Sequence, residues 1–181
     1  MKRLCLVLPL LLCLLLCGCG QSAAERACLD FSRELRERET LDFRAELVCE
    51  YPEETVSFTL DYALRADEQT VTVVEPRAIA GVQARLSPDG QTLVYRDLIL
   101  ELGMGTQGID PARALPLLVR ALREGHLDAC WQEDGDPAAK YILDDQLSVE
   151  LRFSPEEMIP KEAELLLDGR TAARCQISDW R

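Results

Sequence analysis

Two hydrophobic periods and one unbroken apolar run divide the chain. From about Ala23 to Glu39, Ala24, Cys28, Phe31 and Leu35 recur at spacings of three and four, with Arg26, Arg33, Glu34 and Glu37 on other faces. That spacing predicts an amphipathic helix with a core-packing stripe. At Leu41 the period becomes two. Phe43, Ala45, Leu47, Cys49 and Tyr51 share one face of a strand, while Arg44, Glu46 and Glu50 share the other. Beyond a turn at Pro52-Glu53-Glu54, Val56, Phe58, Leu60, Tyr62 and Leu64 alternate with polar or small residues, so a long antiparallel hairpin with one wet side is expected.

Short strands continue at 69–74, 82–87, 91–96 and 98–102, the middle pair joined by Pro88-Asp89-Gly90, whose Asp-Gly step is a strong hairpin signal. The glycines at 103, 105 and 108 are too sparse and too poorly placed to cradle a phosphate. Asp110 then predicts a helix cap with Pro111 in the first turn, Gly125 a stop, and Pro116 a bend or a division in two. Strand character returns at 126–132, 141–144, 147–153, 162–167 and 171–178, the last pair around Asp168-Gly169. About ten strands in meander order, one helix before them and one after the sixth, predict a mainly β fold. Its form is a strongly curved antiparallel sheet or unclosed barrel covered by helices.

The unbroken run is Leu4 to Cys19, preceded by Lys2 and Arg3. A short basic segment followed by an apolar stretch ending in small residues is the layout of an export signal, and the stretch falls short of the roughly 20 residues that span a bilayer. Its end, Leu16-Cys17-Gly18-Cys19, resembles a bacterial lipobox: Gly18 supplies the small residue before Cys19, whereas bulky Leu16 fits poorly before Cys17. The division expected is a signal peptide over 1–18 with its lipobox ending at Cys19, a short tether over 19–23, and a single domain over 24–181. Cys19 would carry the lipid, an acyl group such as palmitate, and hold the chain at the extracytoplasmic face of the cell membrane.

That division sorts the eight cysteines. Cys5, Cys13 and Cys17 leave with the signal and Cys19 is lipidated. Cys28, Cys49, Cys130 and Cys175 remain as disulfide candidates with three pairings, or as four buried thiols, since free cysteine behaves as a small core residue. From Gly20 on, 18 basic residues face 32 acidic ones, a formal charge of −14. Such a surface argues against nucleic acid and against lying flat on anionic lipid; it reads first as a solvated acidic face, one that could also select a basic partner.

Candidate chemistry is thin. His126, Asp128 and Cys130 stand at alternate positions of a strand and could share a face, but three ligands so close on one strand rarely satisfy tetrahedral geometry. Glu133-Asp134-Gly135-Asp136 lacks the glycine and glutamate spacing of a calcium loop and reads as a turn. Glu156-Glu157 and Asp144-Asp145 say little in so acidic a chain, and Trp131 and Trp180 are too few and too separated in sequence for a stacking platform. No catalytic residue, metal ligand or cofactor is assigned, and a non-enzymatic role is expected.

The order of helix, long hairpin, Pro76 with Ile79-Ala80-Gly81, Asp-Gly hairpin and helix opening on Asp110-Pro111 resembles the lipoprotein-localisation carrier superfamily, the LolA/LolB-like proteins. The closing Pro160-Lys161-Glu162-Ala163-Glu164 and Asp168-Gly169 extend the likeness over nearly the whole exported part. The resemblance implies an unclosed barrel whose apolar interior, covered by helices, holds acyl chains in the carriers. Within that group the Cys- and Leu-rich signal and the Ile-Ala-Gly-Val run are closest to clostridial germination-type lipoproteins, which bind a peptidoglycan amidase. The expectation is a membrane-anchored binder of a hydrophobic ligand or of a cell-envelope protein partner, in sporulation or germination, or alternatively a regulator that docks an amidase through its surface without carrying lipid.

Overall fold

The computed structural model describes residues 23–51, 54–88, 90–96, 98–102 and 109–181; the expected signal, lipobox and Cys19 lie outside them. Helix α1 (Ala23–Glu37) leads into strands β1 (Thr40–Glu50), β2 (Thr55–Arg65), β3 (Glu68–Glu75), β4 (Gln83–Ser87), β5 (Gly90–Tyr95) and β6 (Leu98–Leu102). Helix α2 (Pro111–Glu124) follows, and β7 (His126–Glu133), β8 (Asp136–Ile142), β9 (Leu147–Phe153), β10 (Pro160–Leu167) and β11 (Arg170–Ser178) complete the order.

All eleven strands form one antiparallel sheet in the order β6-β5-β4-β3-β2-β1-β11-β10-β9-β8-β7. Two meanders therefore meet at β1 and β11, where Leu47 lies opposite Cys175 and Cys49 opposite Ala173. The sheet does not close: β6 and β7 are its ends, and α2 is the connection between them. This is the unclosed, helix-covered architecture that the sequence predicts.

Alternation decides which face the helices cover. In β1, Leu41, Phe43, Ala45, Leu47 and Cys49 are buried, and in β9 Leu147, Val149, Leu151 and Phe153 are. These positions join α1 (Cys28, Leu35) and α2 (Ala114, Leu115, Leu118, Val119, Ala121, Leu122) in one apolar cluster. The opposite face carries cross-strand ion pairs: Arg44 with Asp61 at 2.7 Å, Lys140 with Glu150 at 3.0 Å and Lys161 with Asp136 at 2.7 Å. Each such half-exposed pair contributes little to stability, but together they fix one face as wet.

Asp110 caps α2 as expected, its Oδ1 accepting from the Arg113 backbone N–H at 2.9 Å, with Pro111 in the first turn. Pro116 does not divide α2, which runs as one element through it; one missing backbone donor near the N-terminus is offset by burial of the ring and its neighbours in the core. Gly125 stops the helix with φ −67° and ψ 158°, not in the left-handed conformation. Its need for glycine is steric, since a Cβ there would lie 2.3 Å from the Ala121 carbonyl oxygen. Strand β8 starts at Asp136 instead of Tyr141. Asp134 and Gly135, at φ 54° and 92°, make a two-residue hairpin turn that places Glu133 opposite Asp136.

Candidate interaction surfaces

The apolar side of the sheet is where an acyl chain would sit. Among the described residues that side is filled. Leu115, Leu118 and Leu122 of α2 are fully buried in the same cluster as Leu47, Leu60, Tyr62, Val149, Leu151 and Leu165 of the sheet. Aromatic rings close the rim beside α1: Tyr62 stacks on Phe43 at 4.8 Å, Phe43 on Trp180 at 5.0 Å, and Phe31 meets Phe153 edge-on at 4.9 Å. Trp180 thus has a packing role that its isolation in the sequence concealed.

Polar groups inside this layer are satisfied locally. Ser32 is buried in α1, and its Oγ lies 3.1 Å from both the Cys28 carbonyl oxygen and the Tyr141 hydroxyl, while the Tyr141 hydroxyl donates to the same carbonyl at 3.2 Å. Burial drives the Tyr141 and Tyr62 hydroxyls up from the ordinary phenol range, and Tyr62 donates to Gln69 Oε1 at 2.9 Å. The helices are joined at their C-terminal ends by a reciprocal contact. Arg36 Nε donates to the Arg123 carbonyl at 2.8 Å, and the Arg123 guanidinium donates to the Arg36 carbonyl at 3.1 Å. Each cation thereby satisfies an orphan carbonyl at the negative end of the other helix.

The cysteines separate into two neighbourhoods, all four being thiols here. Cys28 of α1 and Cys130 of β7 lie where that helix packs on that strand, and burial pushes the Cys28 thiol up to about 12, with Cys130 adding to the rise. Cys49 and Cys175 lie diagonally on β1 and β11; burial pushes Cys175 up to about 12, and it raises Cys49 as well. His126 and Cys130 are not brought together. The β7–β8 register shifts between Leu127 and Ala129, leaving Asp128 as the extra residue of a bulge. Leu127 and Cys130 consequently both pack against the core, and His126, adjacent to Leu127 in the strand, turns to the other side.

Two outward features remain. A groove of about 570 Å³ crosses the wet face, with Trp131 lying beside Ala138 and with Glu46, Glu150 and Glu164 along its length. Its two guanidiniums are engaged, Arg152 with Glu133 and Glu162 at 3.0 and 3.6 Å, and Arg174 with Glu164 at 3.1 Å and with Glu50. The second feature is the edge of the sheet at β6. Leu98, Ile99 and Leu100 are 56, 67 and 50 % exposed, and among the described residues β6 pairs only with β5. The other edge, β7, carries His126, Asp128 and Glu133 and the bulge, features by which native edges resist pairing. The sequence identified β6 as a strand but could not show it to be terminal, because a continuous apolar run is what a strand covered on both faces also presents.

No helix among the described residues is long and apolar enough to cross a membrane. No family model matches the chain, and no curated protein matches it in sequence. Solved structures resemble it in architecture. A DUF1329 family protein from Desulfovibrio piger has a TM-score of 0.50 at 7 % identity, over 88 % of this chain and 91 % of that one. A LolA superfamily protein from Nitrosomonas europaea has a TM-score of 0.45 at 10 % identity, over 86 % and 92 %. The unclosed antiparallel sheet covered by helices is thus an architecture shared with the DUF1329 protein. The GerS lipoprotein of Clostridioides difficile, solved in complex with the CwlD amidase, has a TM-score of 0.45 at 14 % identity, over 90 % of this chain and 97 % of that one.

Proposed function

We propose that this LolA-like chain is a non-enzymatic lipoprotein, anchored through lipid on Cys19 at the extracytoplasmic face of the membrane, that binds a cell-envelope protein by strand addition at β6. The observation that carries the reading is the exposed Leu98-Ile99-Leu100 edge. Among the described residues no strand lies beside its outer backbone donors and acceptors, and Leu98, Ile99 and Leu100 present apolar side chains on both faces. An extended segment of a partner satisfies the backbone groups and covers both rows of side chains at once, which a lipid chain cannot do. The acidic balance of the chain favours a partner with basic residues flanking that segment. A peptidoglycan amidase is the partner class that the sequence resemblance implies, and a hydrophobic ligand held under the helices is the second reading that the same resemblance supports.

A photo-crosslinking residue at Ile99 of the full chain, expressed in its own envelope, tests the first reading. The expected result is a protein adduct whose partner contains a peptidoglycan amidase domain, abolished by Leu98→Lys together with Leu100→Lys while the fold is retained. Absence of any adduct at Ile99, combined with acyl lipid recovered by mass spectrometry from the purified chain, would replace it with the ligand-carrying reading. Cys19→Ala tests the anchor, and a fully processed variant still held in membranes would refute it.

A further inference from the structure

We propose that Cys28 and Cys130 are a disulfide-forming pair that fastens α1 to the β7 edge of the sheet, and that Cys49 and Cys175 stay reduced. Four cysteines allow three pairings, and the geometry selects among them. Cys28 is fully buried in α1, which packs against β7, and its carbonyl accepts from Tyr141 of β8 at 3.2 Å; two residues from Tyr141, Ala139 lies opposite Cys130 on the core side of β7. Cys49 and Cys175 are near one another but in diagonal register across β1 and β11, Cys49 facing Ala173 and Cys175 facing Leu47. Diagonal positions of an antiparallel pair stand about 7–8 Å apart at the backbone, beyond the roughly 4.4–6.8 Å Cα separation at which a disulfide closes without strain. The mixed pairings would need a cysteine of the helix–edge contact to reach the centre of the sheet.

The order of steps follows from exposure. Cys28 and Cys175 are sealed, whereas Cys130 is half-buried and is the thiol that a soluble disulfide can reach. The Cys130 thiolate attacks one sulfur of an external disulfide, forming a mixed disulfide and releasing one external thiolate. The Cys28 thiolate then displaces the second external sulfur, and the Cys28–Cys130 bond forms. Two protons and two electrons leave the protein, and the external disulfide takes them up as two thiols. The bond closes a loop of about one hundred residues, and the constraint on the unfolded chain grows with loop length. Because a poorly acidic buried thiol is a slow leaving group, the bond once made resists exchange and acts as a permanent fastening.

The test uses the purified full chain equilibrated with oxidised and reduced glutathione, trapped with an alkylating agent in denaturant and digested for mass spectrometry. The expected result is a Cys28–Cys130 linked peptide two hydrogens lighter than the separate peptides, with Cys49 and Cys175 alkylated. The oxidised protein should melt about 10 °C above the reduced protein, and that difference should vanish in both Cys130→Ser and Cys28→Ser; Cys130→Ser, at the half-buried position, serves where the buried change prevents folding. Cys28 and Cys130 both alkylated at every glutathione ratio, or a link joining either to Cys49 or Cys175, overturns the proposal. Because the assay contains neither partner nor membrane, its outcome is independent of strand addition at β6.

Discussion

Gly125 is the position at which a single methyl group has the most direct consequence for the fold. It ends α2 and starts the run into β7, and its backbone N–H donates to the Ala121 carbonyl at 2.9 Å. A Cβ at this site would stand 2.3 Å from that same oxygen and 3.1 Å from the Ile142 carbonyl oxygen, both backbone atoms that no rotamer change can move. Relief requires the last turn of α2 to shift against β8 or the capping hydrogen bond to lengthen, so overpacking of about 2–3 kcal/mol is expected for Gly125→Ala. Reduced freedom of the unfolded chain offsets roughly 0.4–1 kcal/mol of this, leaving a net loss of about 2 kcal/mol. Gly169→Ala is the control. It has φ +73° and open space around the added methyl, so only the left-handed penalty of about 1 kcal/mol applies before the same offset. Urea unfolding of the two variants separates the explanations, with Gly125→Ala expected to lower the midpoint by about 1 M and Gly169→Ala by less than half as much. Equal losses would mean that backbone conformation, not close approach, governs both sites.

Other expectations follow from the same packing. Arg36→Ala and Arg123→Ala each remove one donor from the reciprocal helix-end contact, and each should cost about 1 kcal/mol in urea unfolding; a double variant whose loss is merely the sum of the singles would show that the two contacts act independently. Leu118→Ala in the filled layer should cost about 3 kcal/mol, and a loss below about 1 kcal/mol by the same assay would indicate that the layer is loosely packed. The raised thiols make the reduced protein sensitive to alkali. The neutral form is favoured in the fold, so their contribution is complete below the unfolded thiol range and is lost as pH rises toward about 12, where Cys28 and Cys175 titrate. Each adds a slope of about 1.4 kcal/mol per pH unit within that window; unfolding under reductant should show Cys175→Ala with a shallower fall between pH 9 and 11, and an unchanged slope would refute the assignment.

How far the sequence could be read depended on whether a feature leaves a mark on side-chain type. Strands β1, β2 and β9 were legible because one face is wet, so Arg44, Glu46 and Arg152 alternate with Phe43, Ala45 and Leu151. The N-cap at Asp110 was legible for the same reason, since only a few side chains accept that hydrogen bond. The start of β8 was not, because Pro137, Ala138 and Ala139 have weak strand preference and are held by pairing with β7 and β9. The bulge at Asp128 has no compositional signature, yet it reverses the facing of everything beyond it and separates His126 from Cys130. Contacts between elements distant in the chain, such as the two helix ends or the Trp180 stack on Phe43, are invisible to periodicity, which reports which face is buried but not what covers it.

Under the proposed function the two edges of the sheet would divide between tether and partner. An antiparallel meander that never closes leaves two terminal strands, and both are liabilities unless protected. At β7 protection takes the form of a bulge, outward charge and the packing of α1, with Cys28 on that helix and Cys130 on the core side of the strand. At β6 three successive residues, Leu98, Ile99 and Leu100, are exposed and apolar, and Glu101 is the one charged residue of the strand. Lipid on Cys19 would tie the β7 side most closely, because α1 starts at Ala23, four residues on, a span of at most about 14 Å when fully extended. A fastening between α1 and β7 then keeps the tethered edge from peeling, and the unprotected edge, at the far end of the strand order, is left for a partner's strand. On this reading, charge placed at Leu98 and Leu100 abolishes binding without releasing the chain from the membrane, and loss of the Cys28–Cys130 bond lowers stability without abolishing binding. A variant set in which those two effects could not be separated would show that the edges are coupled through the sheet, and would overturn the division of roles between them.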